Sequence, residues 1–294
     1  MCFFKSQPID VDNVDTEAET EELEVFPPQN REKRALLVGI DKYEMPGSDL
    51  NGCVNDVEDV YDLLVNNYGF KPDNVRVLTN ERATKQSIME RLQWMISVSE
   101  PGDEAIYYHS GHGSQVRDRS GDELTDYKDE CLITHDHDWD NPLIDDDIAN
   151  FFKQKKEGAF LTMVCDTCHS GTMSRSFGEA TPRFIAPPFD IEARSIGREL
   201  NCMSIGARSG SEKLQGHILL SGCKEYQTSK EIRIGRETRG VMTYNLTKNL
   251  REDNDLSWSD VHAIVVGAVA EFDQEPQLRG SDSLKSRKSF GGNK

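Results

Sequence analysis

Two six-residue segments carry the side chains best suited to nucleophilic chemistry: Tyr108-His109-Ser110-Gly111-His112-Gly113 and Asp166-Thr167-Cys168-His169-Ser170-Gly171. Each follows an apolar run, Ala105 to Tyr108 in one case and Phe160 to Cys165 in the other, that reads as a buried strand and then passes into small residues. Parallel sheets hold their ligands and reactive groups at the carboxyl ends of their strands. A histidine at one strand end and a cysteine at a later one can meet across that edge, where the imidazole takes the thiol proton and leaves a thiolate. That pairing implies acyl transfer, and the chain reads as a cysteine hydrolase.

The elements that must position these groups alternate. Arg34 to Ile40 is a short β-rich run, and Val54, Val57, Tyr61, Leu64, Val65 and Tyr68 then recur at helical spacing until Gly69 stops the helix. Strand Val75 to Leu78 follows, then a helix that Thr84 can cap, with Ile88, Leu92, Met95 and Ile96 on its buried face. After the histidine strand come a long acidic loop, a short segment Cys131 to Thr134, a helix from about Asp146 to Lys156, and the cysteine strand. Strand Gly216 to Ser221 and helices Arg239 to Leu250 and Ser257 to Phe272 complete the pattern. Strands alternating with helices predict an α/β fold, a mainly parallel central sheet flanked by helices. Residues 1–32 read as a disordered acidic arm, 33–175 as the first catalytic region and 216–294 as a second region of the same domain. Between them, 176–215 is rich in Gly, Ser, Arg and Pro and reads as a flexible connector.

With 294 residues and 36% apolar content the chain can bury a real core. Its formal charge of -18 is local. Residues 1–30 hold eight acids and one lysine, residues 118–147 hold twelve acids and two bases, and the remainder is near neutral. Neither cluster favours nucleic acid, whose phosphates need basic patches. No run reaches membrane-spanning length and no secretory core is present, so a cytoplasmic protein without a membrane anchor is expected, with Cys2 a candidate for fatty acylation. Seven cysteines, an odd number, fit reduced thiols better than a disulfide framework. Cys165-Asp166-Thr167-Cys168-His169 also matches the haem-attachment spacing, but covalent haem needs an exported chain. Zinc would need a second ligand pair, for which only His135 and His137 offer themselves. No organic cofactor is expected.

Several motifs in order carry a family resemblance: Leu50-Asn51-Gly52-Cys53-Val54-Asn55-Asp56, His109-Ser110-Gly111-His112-Gly113-Ser114-Gln115, Asp166-Thr167-Cys168-His169-Ser170-Gly171, Leu220-Ser221-Gly222-Cys223, Gln227-Thr228-Ser229 and Gln274-Glu275-Pro276-Gln277-Leu278. Over about residues 34 to 280 the chain resembles the metacaspases. The resemblance implies a caspase-like three-layer sandwich and a thiol protease that hydrolyses peptide bonds after arginine or lysine. It also implies large- and small-subunit regions in a type I arrangement and a monomer. Carried over residue by residue, Cys168 is the nucleophile and His112 the general base and acid, with backbone NH groups of Gly113 and Cys168 as oxyanion donors. Asp56, Ser110, Asp166 and Cys53 fall in the pocket for the basic side chain, where two carboxylates would reject an acidic one.

The same resemblance implies a calcium site at Asp129, Asp145 and Asp146, although Arg175 stands where a further acidic ligand is expected. Without an ion, Asp145, Asp146 and Asp147 would still suit a helix N-terminus. A second departure, Thr167 before the nucleophile, removes a competing thiol. A zymogen that processes itself would find Arg194, Arg198, Arg208 and Lys213 in the connector. Cys53, Cys131, Cys202 and Cys223 also read as small buried thiols, and His109 and His169 as packing residues. Two other functions stay open: an interaction scaffold with little turnover, and a peptide ligase working through the same acyl-enzyme.

Overall fold

The computed structural model describes residues 31–117, 128–168, 180–191, 216–224 and 227–292. A six-stranded sheet runs through its centre in the order β12-β9-β7-β3-β1-β2. These strands are β1 (Lys33–Gly39), β2 (Val75–Thr79), β3 (Glu104–Ser110), β7 (Phe160–Asp166), β9 (Ile218–Ser221) and β12 (Gln277–Arg279). All pair in parallel except β12, which runs antiparallel along β9. The architecture is the mainly parallel, helix-flanked α/β sheet that the residue pattern predicts, in the caspase-like sandwich that the family resemblance implies.

Buried on both faces, β1 sends Ala35 and Leu37 into one apolar layer and Leu36 and Val38 into the other. The first layer is closed by helices α1 (Cys53–Tyr68), α4 (Val241–Glu252) and α5 (Trp258–Val269), the second by α2 (Lys85–Val98) and α3 (Asp145–Phe152). Local sequence sets several of their ends. The Thr84 hydroxyl accepts from Ser87 N at 3.1 Å, Ser257 and Asp260 form a capping box, and Gly69 closes α1 in the left-handed conformation. α3 ends at Phe152 rather than near Lys156, because the run that follows, Lys153 to Glu157, has no apolar side chain to hold it on the sheet.

Two small sheets flank the carboxyl edge. One joins β4 (Gly113–Arg117), β5 (Lys128–Leu132) and β6 (Leu143–Ile144); the other joins β8 (Thr181–Pro182), β10 (Lys230–Ile234) and β11 (Glu237–Gly240). The β10–β11 hairpin takes up Arg239 and Gly240, so the helix expected from Arg239 begins at Val241. The expectation of a flexible connector over 176–215 also fails for its described part. β8 pairs antiparallel with β10, and Phe184 bridges to Gly113. At the far end of the molecule the buried ammonium of Lys33 donates to the carbonyls of Tyr68, Phe290 and Gly292 at 2.7–3.0 Å. Among the described residues no helix is long and apolar enough to cross a membrane.

Candidate active site

The register of the central sheet places the two motifs side by side. Ser110, the last residue of β3, lies level with Asp166, the last residue of β7. His112 and Cys168 each stand two residues beyond that line. Gly113 must be glycine for this approach, since a Cβ there would fall inside the van der Waals radius of the Cys168 carbonyl oxygen.

Each reactive side chain has its own partner. The imidazole Nε2 of His112 lies 2.8 Å from the Ser48 carbonyl oxygen, which can only accept, so Nε2 carries the proton and Nδ1 keeps its lone pair. Nδ1 is buried with no hydrogen-bond partner. The Tyr43 hydroxyl accepts from His112 N at 2.9 Å, and its ring lies 5.1 Å from the imidazole. Burial pushes His112 down to about 4, leaving the ring neutral. The Cys168 thiol, fully buried, donates to the Ser229 carbonyl oxygen at 3.0 Å. Burial pushes it well up, and a hydrogen bond with the Cys223 thiol adds to the effect, so it remains a thiol. His109 is buried, with Nδ1 3.0 Å from the Tyr107 hydroxyl.

Beside this pair lies a buried pocket, and a residue of the same chain fills it. The guanidinium of Arg183 is wholly enclosed. Its Nη2 sits 2.7 Å from Asp56 Oδ2 and 3.6 Å from Glu231 Oε2. Its Nη1 donates to Ser110 Oγ at 2.9 Å and lies 3.2 Å from both Asp166 Oδ2 and the Asp166 carbonyl oxygen. The carboxylates are fixed in turn by the frame. Asp56 accepts from Gly240 N and the Ser110 hydroxyl, Asp166 from Thr243 N and Oγ1 and from the Ser229 hydroxyl, and Glu231 from Asn51 N and Gly52 N. Burial raises Asp56 to about 6 and also raises Glu231, with the Arg183 charge pulling both back. Gly240 forms the pocket wall. A Cβ at that position would overlap Asp166 Oδ2 and crowd Arg183 Nη1.

The backbone around Arg183 is held as firmly as its side chain. Arg183 N donates to Ser229 O at 3.0 Å. The Arg183 carbonyl oxygen accepts from both Gly113 N, at 3.0 Å, and Cys168 N, at 3.2 Å. Ile185 N donates to Gly113 O at 3.1 Å. A peptide strand therefore crosses the carboxyl edge with one basic side chain in the pocket and the carbonyl of the same residue at two convergent NH donors.

His112, Gly113, Cys168, Cys53, Asp56, Ser110 and Asp166 thus come together at one edge. Cys53 opens α1, its N donating to Asp41 Oδ1 at 2.8 Å, and its buried thiol is pushed up by burial. Asp129, Asp145 and Asp146 lie apart from that edge, on β5 and the first turn of α3, and their carboxylates do not gather within 4.8 Å of one another. Among the described residues, one group of three ligand-type atoms falls within 4.8 Å: Asp41, Cys53 and Glu231. Its carboxylates already accept the backbone NH groups that open α1, so it reads as a helix cap. His169, Arg175, Arg194, Arg198, Cys202, Arg208 and Lys213 lie outside the described residues. Sequence reasoning missed Arg183, Glu231, Ser48, Tyr43, Ser229 and Thr243. Arg183 carried the same signal as the four connector residues, a basic side chain in a Gly/Pro-rich stretch, with Pro182 before it favouring an extended chain.

Fold and strand-end constellation together define a cysteine peptidase of caspase-like architecture. Residues 33–176 match the family described as metacaspase, peptidase C14 domain. Metacaspase-1 of Schizosaccharomyces pombe is 26% identical over 86% of this chain and 68% of its own length. Metacaspase-1 of Scheffersomyces stipitis is 28% identical over 84% and 70%. A crystal structure of a protein from Geobacter sulfurreducens superposes with a TM-score of 0.64 at 22% identity, covering 90% of this chain and all of that one, a likeness of fold. Residues 33–176 thus correspond to a metacaspase peptidase domain, and over most of its length the chain is similar to the two fungal metacaspases, a match that supports a cysteine peptidase of the C14 type.

Proposed function

We propose that the protein is an endopeptidase that cleaves after arginine or lysine, with Cys168 as nucleophile and His112 as general base and acid, and that its first substrate is its own Arg183–Phe184 bond. One observation carries this reading: Arg183 fills a pocket of three carboxylates while its carbonyl oxygen accepts from Gly113 N and Cys168 N. Opposite charge would hold a basic side chain there, and the two NH groups would stabilise the oxyanion formed when sulfur adds to the carbonyl carbon.

The chemistry begins when the Cys168 thiol turns from Ser229 O and gives its proton to His112 Nδ1. The thiolate adds to the Arg183 carbonyl carbon, and the imidazolium then protonates the departing amine of Phe184. Water, deprotonated by the same Nδ1, hydrolyses the thioester and restores the thiol. With Arg183 seated, the site is closed to other substrates, so the uncut chain is a zymogen. We place the cut at Arg183 in preference to the later basic residues of the connector. Self-cleavage should create a new amino terminus at Phe184, read by sequencing the smaller band under denaturing conditions. A fragment beginning after Arg194, Arg198, Arg208 or Lys213 would move the site.

The protein acts as a monomer in this reading. Calcium stimulation is part of it: Asp129, Asp145 and Asp146 offer hard oxygen donors of the kind that cation takes, on two elements joined by the β5–β6 pairing. Bound calcium would draw these three carboxylates together around it and offset their charge. The deciding assay compares reporters ending in Arg, Lys or Asp, with wild type and Cys168→Ala, each with and without calcium. Turnover of the basic reporters by wild type only is expected. A preference for Asp would overturn the pocket assignment, and equal rates in chelator would overturn the role of calcium.

A further inference from the structure

If Arg183 marks the substrate path, the side chains on either side of it report what else the protein can recognise. Thr181 and Pro182, before the scissile bond, are exposed, and β8 is held through its backbone pairing with Lys230 and Glu231. After the bond the balance reverses. Phe184 and Ile185 are half-buried, and Ala186 returns to solvent. Phe184 bridges to Gly113, and Ile185 is held twice, by its N–H to Gly113 O and by its side chain. That side chain packs against the apolar layer that contains Val38, Ile40, Tyr43, Val116 and Ile133. Strand addition of this kind draws affinity from main-chain hydrogen bonds and selectivity from the side chains that reach pockets.

We infer that the protein has a second specificity determinant on the far side of the cleaved bond: an apolar subsite for the residue two positions after the basic one, with little side-chain selection at the two positions before it. The inference rests on the reading of Arg183 as a resident substrate residue. Its preferred substrate class is a polypeptide in which a basic residue is followed, after one intervening residue, by Ile, Val or Leu. An aliphatic group there leaves water for the sheet's apolar layer, whereas a carboxylate would lose its hydration without a partner. Because the residues after the bond depart with the amine, this contact assists thioester formation and is gone before hydrolysis. A reporter whose leaving group is a small dye forfeits it.

The test uses internally quenched peptides that reproduce residues 180–186, with Ile, Ala or Asp at the place of Ile185 and, separately, Ala at the place of Thr181. Each is cleaved by the self-processed wild-type chain. From Ile to Asp, kcat/KM should fall about tenfold or more, and several-fold to Ala, while the change at Thr181 stays within about twofold. Equal cleavage of the Ile, Ala and Asp peptides after their arginine would overturn the subsite and leave the basic-specific endopeptidase reading intact. Failure to cleave any of them after arginine would overturn that underlying reading, and the subsite with it.

Discussion

The pocket and the reactive pair share one edge of one sheet, yet they are in opposite conditions. In the pocket every carboxylate has backbone or hydroxyl donors in addition to the Arg183 guanidinium. In the pair, the thiol points to Ser229 O and the basic nitrogen of His112 has no partner. Folding has therefore paired the charges of the pocket while leaving the reactive groups neutral and apart. The reason is electrostatic. Three buried carboxylates require a counter-charge, and the chain provides one, whereas a buried thiol and a neutral imidazole satisfy the low-dielectric interior without forming an ion pair.

Substitutions can break this contrast on either side. The largest effect is expected from Gly240→Ala, whose methyl would overlap Asp166 Oδ2 and crowd the Arg183 guanidinium and Asp56 Oδ2. We expect kcat/KM on a P1-arginine reporter to fall about 100-fold, and alkylation of Cys168 to quicken as residue 183 is expelled. Unchanged turnover would show that the pocket tolerates the methyl. Removing the occupant by Arg183→Ala should cost about 3 kcal/mol in a denaturant titration at pH 8, because it leaves buried acids unpaired. Asp56 already holds its proton up to about 6, and loss of the guanidinium raises it further, so the deficit should shrink as pH falls and the acid is neutralised. A deficit independent of pH would place the lost stability in packing alone.

Smaller effects sharpen the boundaries of the comparison. His217, packed edge-on to Phe152 at 5.0 Å between ring centroids, is lowered by burial to about 4. Its folded value lies below the unfolded one, so its contribution is present above about pH 6.5 and lost as pH falls through about 4. His217→Asn should therefore lessen the acid loss of stability by on the order of 1–2 kcal/mol, read as the slope of the unfolding free energy between pH 7 and 4. An unchanged slope would refer the acid loss to other groups. Least of all, millimolar calcium should raise the thermal midpoint of wild type by about 2–3 °C and that of Asp146→Asn by less. Equal shifts would remove Asp146 from the ligand set.

The readable parts were those in which local chemistry and fold agree. Apolar runs ending in His-Ser-Gly-His-Gly and Asp-Thr-Cys-His mark strands meeting small residues, and the sheet register then brings Ser110 level with Asp166 without further information. Asp56 was reachable through its motif. Glu231 was not, because in β10 Ile232 and Ile234 alternate with Glu231 and Arg233, a pattern in which a charged residue reads as facing solvent and not as part of a buried pocket. Nor could periodicity disclose Arg183. Its meaning comes from pairing with β10 on one side and Gly113 on the other, contacts separated along the chain by about fifty and seventy residues. The group that sets the His112 tautomer is a main-chain oxygen, that of Ser48, which any residue type would supply.

Severing the chain after Arg183 would not by itself separate the pieces. β9 and β12 come from the later piece but complete the sheet beside β7 of the earlier one, and the Lys33 ammonium grips carbonyls near the other piece's end. Processed protein should migrate as two bands in detergent yet elute from a sizing column where the intact chain does. Reassembly after complete dissociation would then be a bimolecular event, so the cut would turn a concentration-independent folding reaction into one governed by mass action.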